Sequence, residues 1–162
     1  MKYIFKFSIL FLAVLFVACN TKQPDTAKEI KTEPIFPKGE KITSNNFSGT
    51  VWLNMMGATD STLHASFGNV SFEPKARTNW HSHPGGQILL ITEGRGYYQA
   101  KGGPARLLHK GDVVEIPRNV VHWHGAAPDS AFAHIAISLN TDDGGAVWSG
   151  PVTDEEYSQS TK

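Results

Sequence analysis

From about Phe47 onward, short apolar stretches alternate with turn residues: TVWLNMM, TLHASFGNVSF, QILLITE, GYYQA, ARLLH, DVVEIP, VVHWH and SAFAHIAISL. Each is closed by Gly, Pro, Asn or Asp. Val, Ile, Phe, Trp, Tyr and Thr dominate them, and none holds a helical period. Many short strands at such spacing predict an all-β domain, an antiparallel sandwich or barrel. The closing VTDEEYSQ differs: Thr153 followed three residues later by Glu156 predicts one capped helical turn. There is no internal repeat.

The ends of the chain read differently from its middle. Residues 1–18, MKYIFKFSILFLAVLFVA, carry Lys2 and Lys6 and then an apolar run from Phe7 to Ala18. That run is too short to span a bilayer and predicts a secretory signal. Cys19, the single cysteine, follows immediately. FVAC resembles a bacterial lipobox, with Phe16 in place of the usual leucine. The resemblance implies a lipidated Cys19 and an exported protein anchored to a membrane of the bacterial cell envelope. Residues 20–45 are polar and rich in Lys, Glu, Thr and Pro, which predicts a flexible tether. An edge strand around Ile35 and Phe36 is the alternative. The domain is then expected at 46–145, with a tail at 146–162. The 162 residues suffice for one domain with a core. Without its signal the chain keeps 13 basic residues against 15 acidic, with no basic run, so nucleic acid is not an expected partner.

The candidate chemistry is imidazole. In NWHSHPGGQ, His81 and His83 stand at strand spacing and aim their rings to one face. His122 and His124 repeat the pattern in VVHWH. Either pair alone is a weak signal. Two pairs in one small domain, each with a tryptophan beside it (Trp80, Trp123), predict a metal site.

The surrounding runs, PKARTNWHSHPGGQILLITEGRG and GDVVEIPRNVVHWHGAA, resemble the two signature motifs of the cupin superfamily. The first motif maps onto His81, His83, Gln87 and Gly94, the second onto Gly111, Pro117, Asn119 and His122. Lys75, Asn119 and Ala126 depart from the pattern, the first two where it has glycine. Asn tolerates the left-handed conformation that such a turn needs. Gln87 takes the position of a ligand glutamate. The resemblance implies a jelly-roll β-barrel in which His81, His83, Gln87 and His122 hold one divalent metal. A glutamine brings an oxygen but no charge, which leaves the ion a stronger Lewis acid. Mixed nitrogen and oxygen ligands suit manganese, iron, nickel or zinc, and the ligand set alone does not choose among them.

The phrases ART-W-H-HP-GQ, GDVV, HWHGAAP and VTDEEY resemble a narrower subgroup of small bacterial cupins that includes manganese-dependent hydroxynitrile lyases. Its members are often labelled carboxymuconolactone decarboxylase relatives. The likeness implies that His124 and His134 stand near the metal as catalytic residues. A cyanohydrin hydroxyl would lose its proton to one of them, and the alkoxide would expel cyanide. A metal-dependent dioxygenase and a non-catalytic module binding a sugar or small molecule are the competing readings. The partners expected are therefore a small-molecule substrate, the membrane through Cys19, and further copies of the chain, since such barrels often dimerise through sheet edges.

Other residues read as structural. His134, in an apolar strand, is on the strand alone a core histidine. His109 is expected to be solvated, and His64 structural. Trp80 and Trp123 are expected in packing, and Arg77 and Glu93 in surface ion pairs. Phe67, Ile88, Leu90, Tyr98 and Phe132 are candidates to line the barrel. No phosphate-binding loop and no Ser-His-Asp signature is present.

Overall fold

The computed structural model describes residues 33–57 and 62–162. The predicted signal, Cys19 and the first part of the tether lie outside them. The strands are β1 (Glu40–Lys41), β2 (Phe47–Ser48), β3 (Val51–Gly57), β4 (Ala65–Phe72), β5 (Arg77–Thr78) and β6 (Trp80–Ser82). They continue as β7 (Gln87–Ala100), β8 (Arg106–His109), β9 (Val113–Ile116), β10 (His122–Ala126), β11 (Phe132–Leu139) and β12 (Val147–Gly150). One helix, α1 (Asp154–Ser160), closes the chain.

All recorded strand pairings are antiparallel, in a sheet that runs β1-β3-β4-β11-β7-β10-β5-β2. The sheet curls because β7 is long enough to serve two neighbourhoods. Its first residues pair with β9 and β11, and its last pair with β8 and β10. The expected jelly-roll β-barrel results. Alternation along β7 turns Gln87, Leu89 and Ile91 inward. Ile88 is half-buried and Leu90 is exposed on the other face, so neither lines the interior as their apolar character had suggested. Inside, Val51, Val70, Phe72, Leu89, Ile91, Leu108 and Phe132 form the main core.

Part of the expected tether lies on the sheet. Glu40 and Lys41 pair with Leu53 and Trp52, and the Ile42 amide donates to the Val51 carbonyl at 2.8 Å. The edge strand thus stands a little beyond Ile35 and Phe36.

A second apolar cluster, Trp80, Trp123, Val152 and Tyr157, fastens α1 to the outside of the barrel. Both tryptophans pack, as expected, and Trp123 Nε1 donates to Gln99 Oε1 at 2.7 Å. The predicted capping box is present: Glu156 N donates to Thr153 Oγ1, and Thr153 N to Glu156 Oε2. Tyr157 OH donates to the Ala126 carbonyl at 2.8 Å.

Arg77 is not a surface ion-pair residue. It is 5% exposed, and its Nε and Nη2 both donate to the Val152 carbonyl, at 3.2 and 2.8 Å. Its guanidinium lies 4.7 Å from the Tyr157 ring centroid. The Asp154 carboxylate also reaches it at 2.7 Å, but that partner is 92% exposed and the ion pair adds little. The buried carbonyl contact is the anchor. Arg77→Ala is expected to lower stability by about 3 kcal/mol and to open the C-terminal segment to proteases. Urea midpoints and limited proteolysis check this; an unchanged cleavage pattern would show that the tail is held by its apolar contacts alone.

Candidate metal centre

The local backbone explains how four side chains reach one point. His81 sits in β6 and is paired across the ladder with His122 of β10. His83 follows β6 directly, and the Pro84-Gly85-Gly86 turn brings Gln87 back at the start of β7. Gly86 has φ of 86°, and its amide donates to the His83 carbonyl at 3.1 Å. Gly85 must be glycine for another reason: a Cβ there would lie 1.8 Å from the Leu139 carbonyl oxygen. Asn119 occupies the left-handed region at φ of 61° and donates its amide to the same His83 carbonyl at 2.9 Å. Lys75 also takes positive φ, 70°, where the sequence motif has glycine.

The nitrogens of His81, His83 and His122 all lie within 4.8 Å of one another, and all three residues are buried. The rings of His81 and His122 are 4.2 Å apart at their centroids, and those of His81 and His83 are 5.3 Å apart. His81 Nδ1 lies 3.0 Å from the Asn79 carbonyl, and His122 Nδ1 lies 2.9 Å from the Val120 carbonyl. Those carbonyls place the ring protons on Nδ1 and leave Nε2 as a lone pair. Burial, with the neighbouring rings adding repulsion, holds His81 well below its ordinary pKa. Burial pushes His83 down to about 4 and His122 to about 4. All three are therefore neutral near pH 7 and free to coordinate.

His122 Nε2 faces Gln87 Oε1 at 3.2 Å. A neutral His122 that already donates from Nδ1 has no second proton to offer. Two acceptors thus point at one another, and His83 Nε2 is buried with no partner. A divalent cation satisfies all of these atoms at once, and three nitrogens with one amide oxygen suit it chemically. The residues present fit a metal.

Beside this cage stands a second pair. His124 Nδ1 and His134 Nε2 are 3.1 Å apart, and the rings meet edge to face at 4.7 Å. His134 is fully buried and His124 nearly so. Burial first, and then the neighbouring imidazoles, lowers His124 well below 6.5, and burial pushes His134 down to about 3. Phe72 packs against both rings at 5.9 and 5.6 Å. His124 Nε2 and His134 Nδ1 have no partner. So β6, β7, β10 and β11 bring together His81, His83, Gln87, His122, His124 and His134. His64 and His109 lie elsewhere: His64 meets Asp142, and the His109 amide is held by Asp112.

The cavity over these groups has a volume of about 180 Å³. Its polar side is His81, His83, Gln87, His124 and Thr78, and its apolar side includes Phe47, Leu53, Val70, Ala136 and Trp148. Trp148 and Phe47 are functional candidates that the sequence did not reveal, because no motif surrounds them. Of the residues expected to line the barrel, Phe132 lies in the core and Tyr98 packs on it. Tyr98 comes within 5.7 Å of the His122 ring.

The chain matches the Cupin domain family over residues 68–137. It is 46% identical over 112 residues to an (R)-mandelonitrile lyase of Granulicella tundricola, covering 68% of this chain and 85% of that protein. A cupin-like protein of Thermotoga maritima is 55% identical, with a TM-score of 0.77 over 80% of this chain and 98% of that one. A DMSP lyase of Ruegeria pomeroyi shares the fold at 19% identity and a TM-score of 0.56, over 64% of this chain and 54% of that one.

Proposed function

The chain belongs to the cupin superfamily, and on that premise we propose that it is a metal-dependent lyase that cleaves a small cyanohydrin into a carbonyl compound and hydrogen cyanide. The observation that carries this reading is the pairing of a neutral four-donor cage with a neutral histidine dyad, His124 and His134, at one end of a small apolar cavity. The relative named (R)-mandelonitrile lyase supports the same class of reaction.

His81, His83, Gln87 and His122 would hold the ion. A divalent metal supplies positive charge that lowers the pKa of a substrate hydroxyl and stabilises negative charge on its oxygen. The cage contributes no negative charge to offset it, because Gln87 replaces a carboxylate. His124 lines the cavity and takes the hydroxyl proton. The electron pair left on oxygen forms the carbonyl, and the carbon–cyanide bond breaks. His124 returns the proton to the departing cyanide. His134, behind it, holds the ring through the 3.1 Å contact and keeps a lone pair available on the dyad. Phe47, Leu53 and Val70 keep bulk water from the anion that leaves.

The proposal extends to manganese as the ion, to export with a lipid anchor on Cys19, and to self-association of the barrel.

The test is elemental analysis of protein produced with manganese supplied, alongside cleavage of mandelonitrile. One equivalent of metal is expected, with cyanide release that needs no oxygen. His122→Ala removes one donor of four and should lower metal retention by more than about tenfold. Metal-free parent protein would sink the metal site. Turnover that stops without oxygen would replace the lyase with an oxygenase.

A further inference from the structure

The segment expected as a tail, 146–162, contributes Ala146 and Trp148 to one wall of the cavity. β12 pairs with β6 so that Trp148 stands opposite His81 in the ladder. A register shift between Trp148 and Gly150 interrupts this pairing, and such irregularities commonly re-aim a side chain beside a site. The Trp148 indole lies 4.8 Å from the His81 ring at a tilt of 30°, and its other neighbour is the edge of Phe47 at 5.5 Å. The indole is half-buried, while Val147 beside it is 53% exposed. The alternation therefore aims Trp148, with Ala146, into the cavity.

We propose that Trp148 is a specificity-determining residue, a π surface that selects substrates carrying one flat, unsaturated ring over branched aliphatic ones. The inference rests on the lyase reading for the position of the reacting oxygen, at the histidine end. Three features support it. The cavity of about 180 Å³ is close to the ~150 Å³ known to take one benzene ring, so one ring and a short polar arm fill it. Among the described residues, its polar side chains apart from the indole N–H of Trp148 are His81, His83, His124, Gln87 and Thr78. The rest must therefore accept apolar substance. Finally, the indole is braced rather than loose: Phe47 holds one side, and the Arg77 contacts to Val152 fix the chain four residues on. A braced aromatic wall discriminates by ring geometry, since an offset or edge contact gains more than its buried area.

The expected size is about three- to tenfold in affinity, the range of one aromatic contact. The full chain, loaded with manganese, is titrated calorimetrically with benzyl alcohol and with 2-methyl-1-propanol. Trp148→Leu should weaken benzyl alcohol by that factor and leave 2-methyl-1-propanol within about twofold. Trp148→Phe keeps a ring and should hold benzyl alcohol near the parent value. If Trp148→Leu does not fold by thermal melting, Trp148→Met carries the same comparison. Equal weakening of both alcohols, or of neither, overturns the proposal and leaves Trp148 as packing. Metal content is measured on every sample. A parent that binds no metal yet keeps the ring preference overturns the metal site and leaves this inference standing. A parent that binds metal and shows no loss of preference in Trp148→Leu overturns this inference alone.

Discussion

Metal-free protein is expected to lose stability steeply in mild acid, before its carboxylates titrate. The unfolded chain takes up a proton on each histidine near pH 6.5. The folded chain resists: burial holds His134 down to about 3 and both His83 and His122 to about 4. Below pH 6.5 the unfolded state therefore binds more protons than the folded one, and stability falls as the pH falls. The loss continues until each folded-state pKa is reached. Each such histidine contributes about 1.4 kcal/mol per pH unit, so these three together contribute about 4. His81 and His124 act in the same direction. Relaxation and water entry around a charged ring offset part of this sum. Half of it would still remove about 3 kcal/mol by pH 5, against a total stability of roughly 5–15 kcal/mol for a domain. Urea midpoints in a chelator should thus drop steeply between pH 7 and 5. Added manganese should shift the transition to lower pH, because ion and protons compete for the same nitrogens. A midpoint that is flat between pH 7 and 5 would show that water or relaxation lets these histidines charge in place.

The histidine positions could be read in the sequence because strand geometry has a period of two. His81 with His83, and His122 with His124, had to share faces once each segment was extended. Gln87 was legible only through the resemblance to the first cupin motif, where it takes the place of a ligand glutamate. Asn119 and Lys75 were legible as departures from glycine, and both take the positive φ that a glycine would take. The helix start was legible because a capping box is local: it lies wholly within Thr153 to Glu156.

What was not legible depends on contacts between distant segments. Arg77 looked like a surface cation because its acceptor, the Val152 carbonyl, lies far along the chain and leaves no trace in side-chain pattern. Trp148 sits between Val147 and Ser149 in a short stretch with no motif, and only the pairing of β12 with β6 brings it to His81. Leu90 and Ile88 misled in the opposite sense. QILLITE is a nearly continuous apolar run, so its sequence does not say which alternate residues turn inward; the β7 pairings set that. The inward set includes Gln87, and the same register that buries Leu89 therefore delivers the amide to the cage.

Replacing His124 is expected to be the most damaging change that leaves the metal in place. His124→Ala removes the group that touches the substrate proton, and a positioned acid–base is worth about 10²–10⁴ in turnover. The donors His81, His83, Gln87 and His122 are untouched, so one equivalent of metal should remain. His134 acts through His124, and its effect differs in kind. One proton lies between His124 Nδ1 and His134 Nε2. With that proton on His124, the free lone pair is at Nε2, on a ring that lines the cavity. With it on His134, His124 Nε2 carries a hydrogen and becomes the donor. The dyad would thus switch His124 between base and acid: the proton taken at His124 Nε2 gives the pair one positive charge, and passing the shared proton to His134 moves that charge away from the cavity. His134→Phe keeps the volume and abolishes the switch. Turnover should fall by about tenfold or more, and the pH profile should narrow, because His124 must then take and return its proton unaided. His134→Gln restores a partner within reach and should recover part of the loss. If His134→Phe lowers turnover with no change in pH profile, and His134→Gln recovers nothing, His134 is a packing residue and His124 works alone.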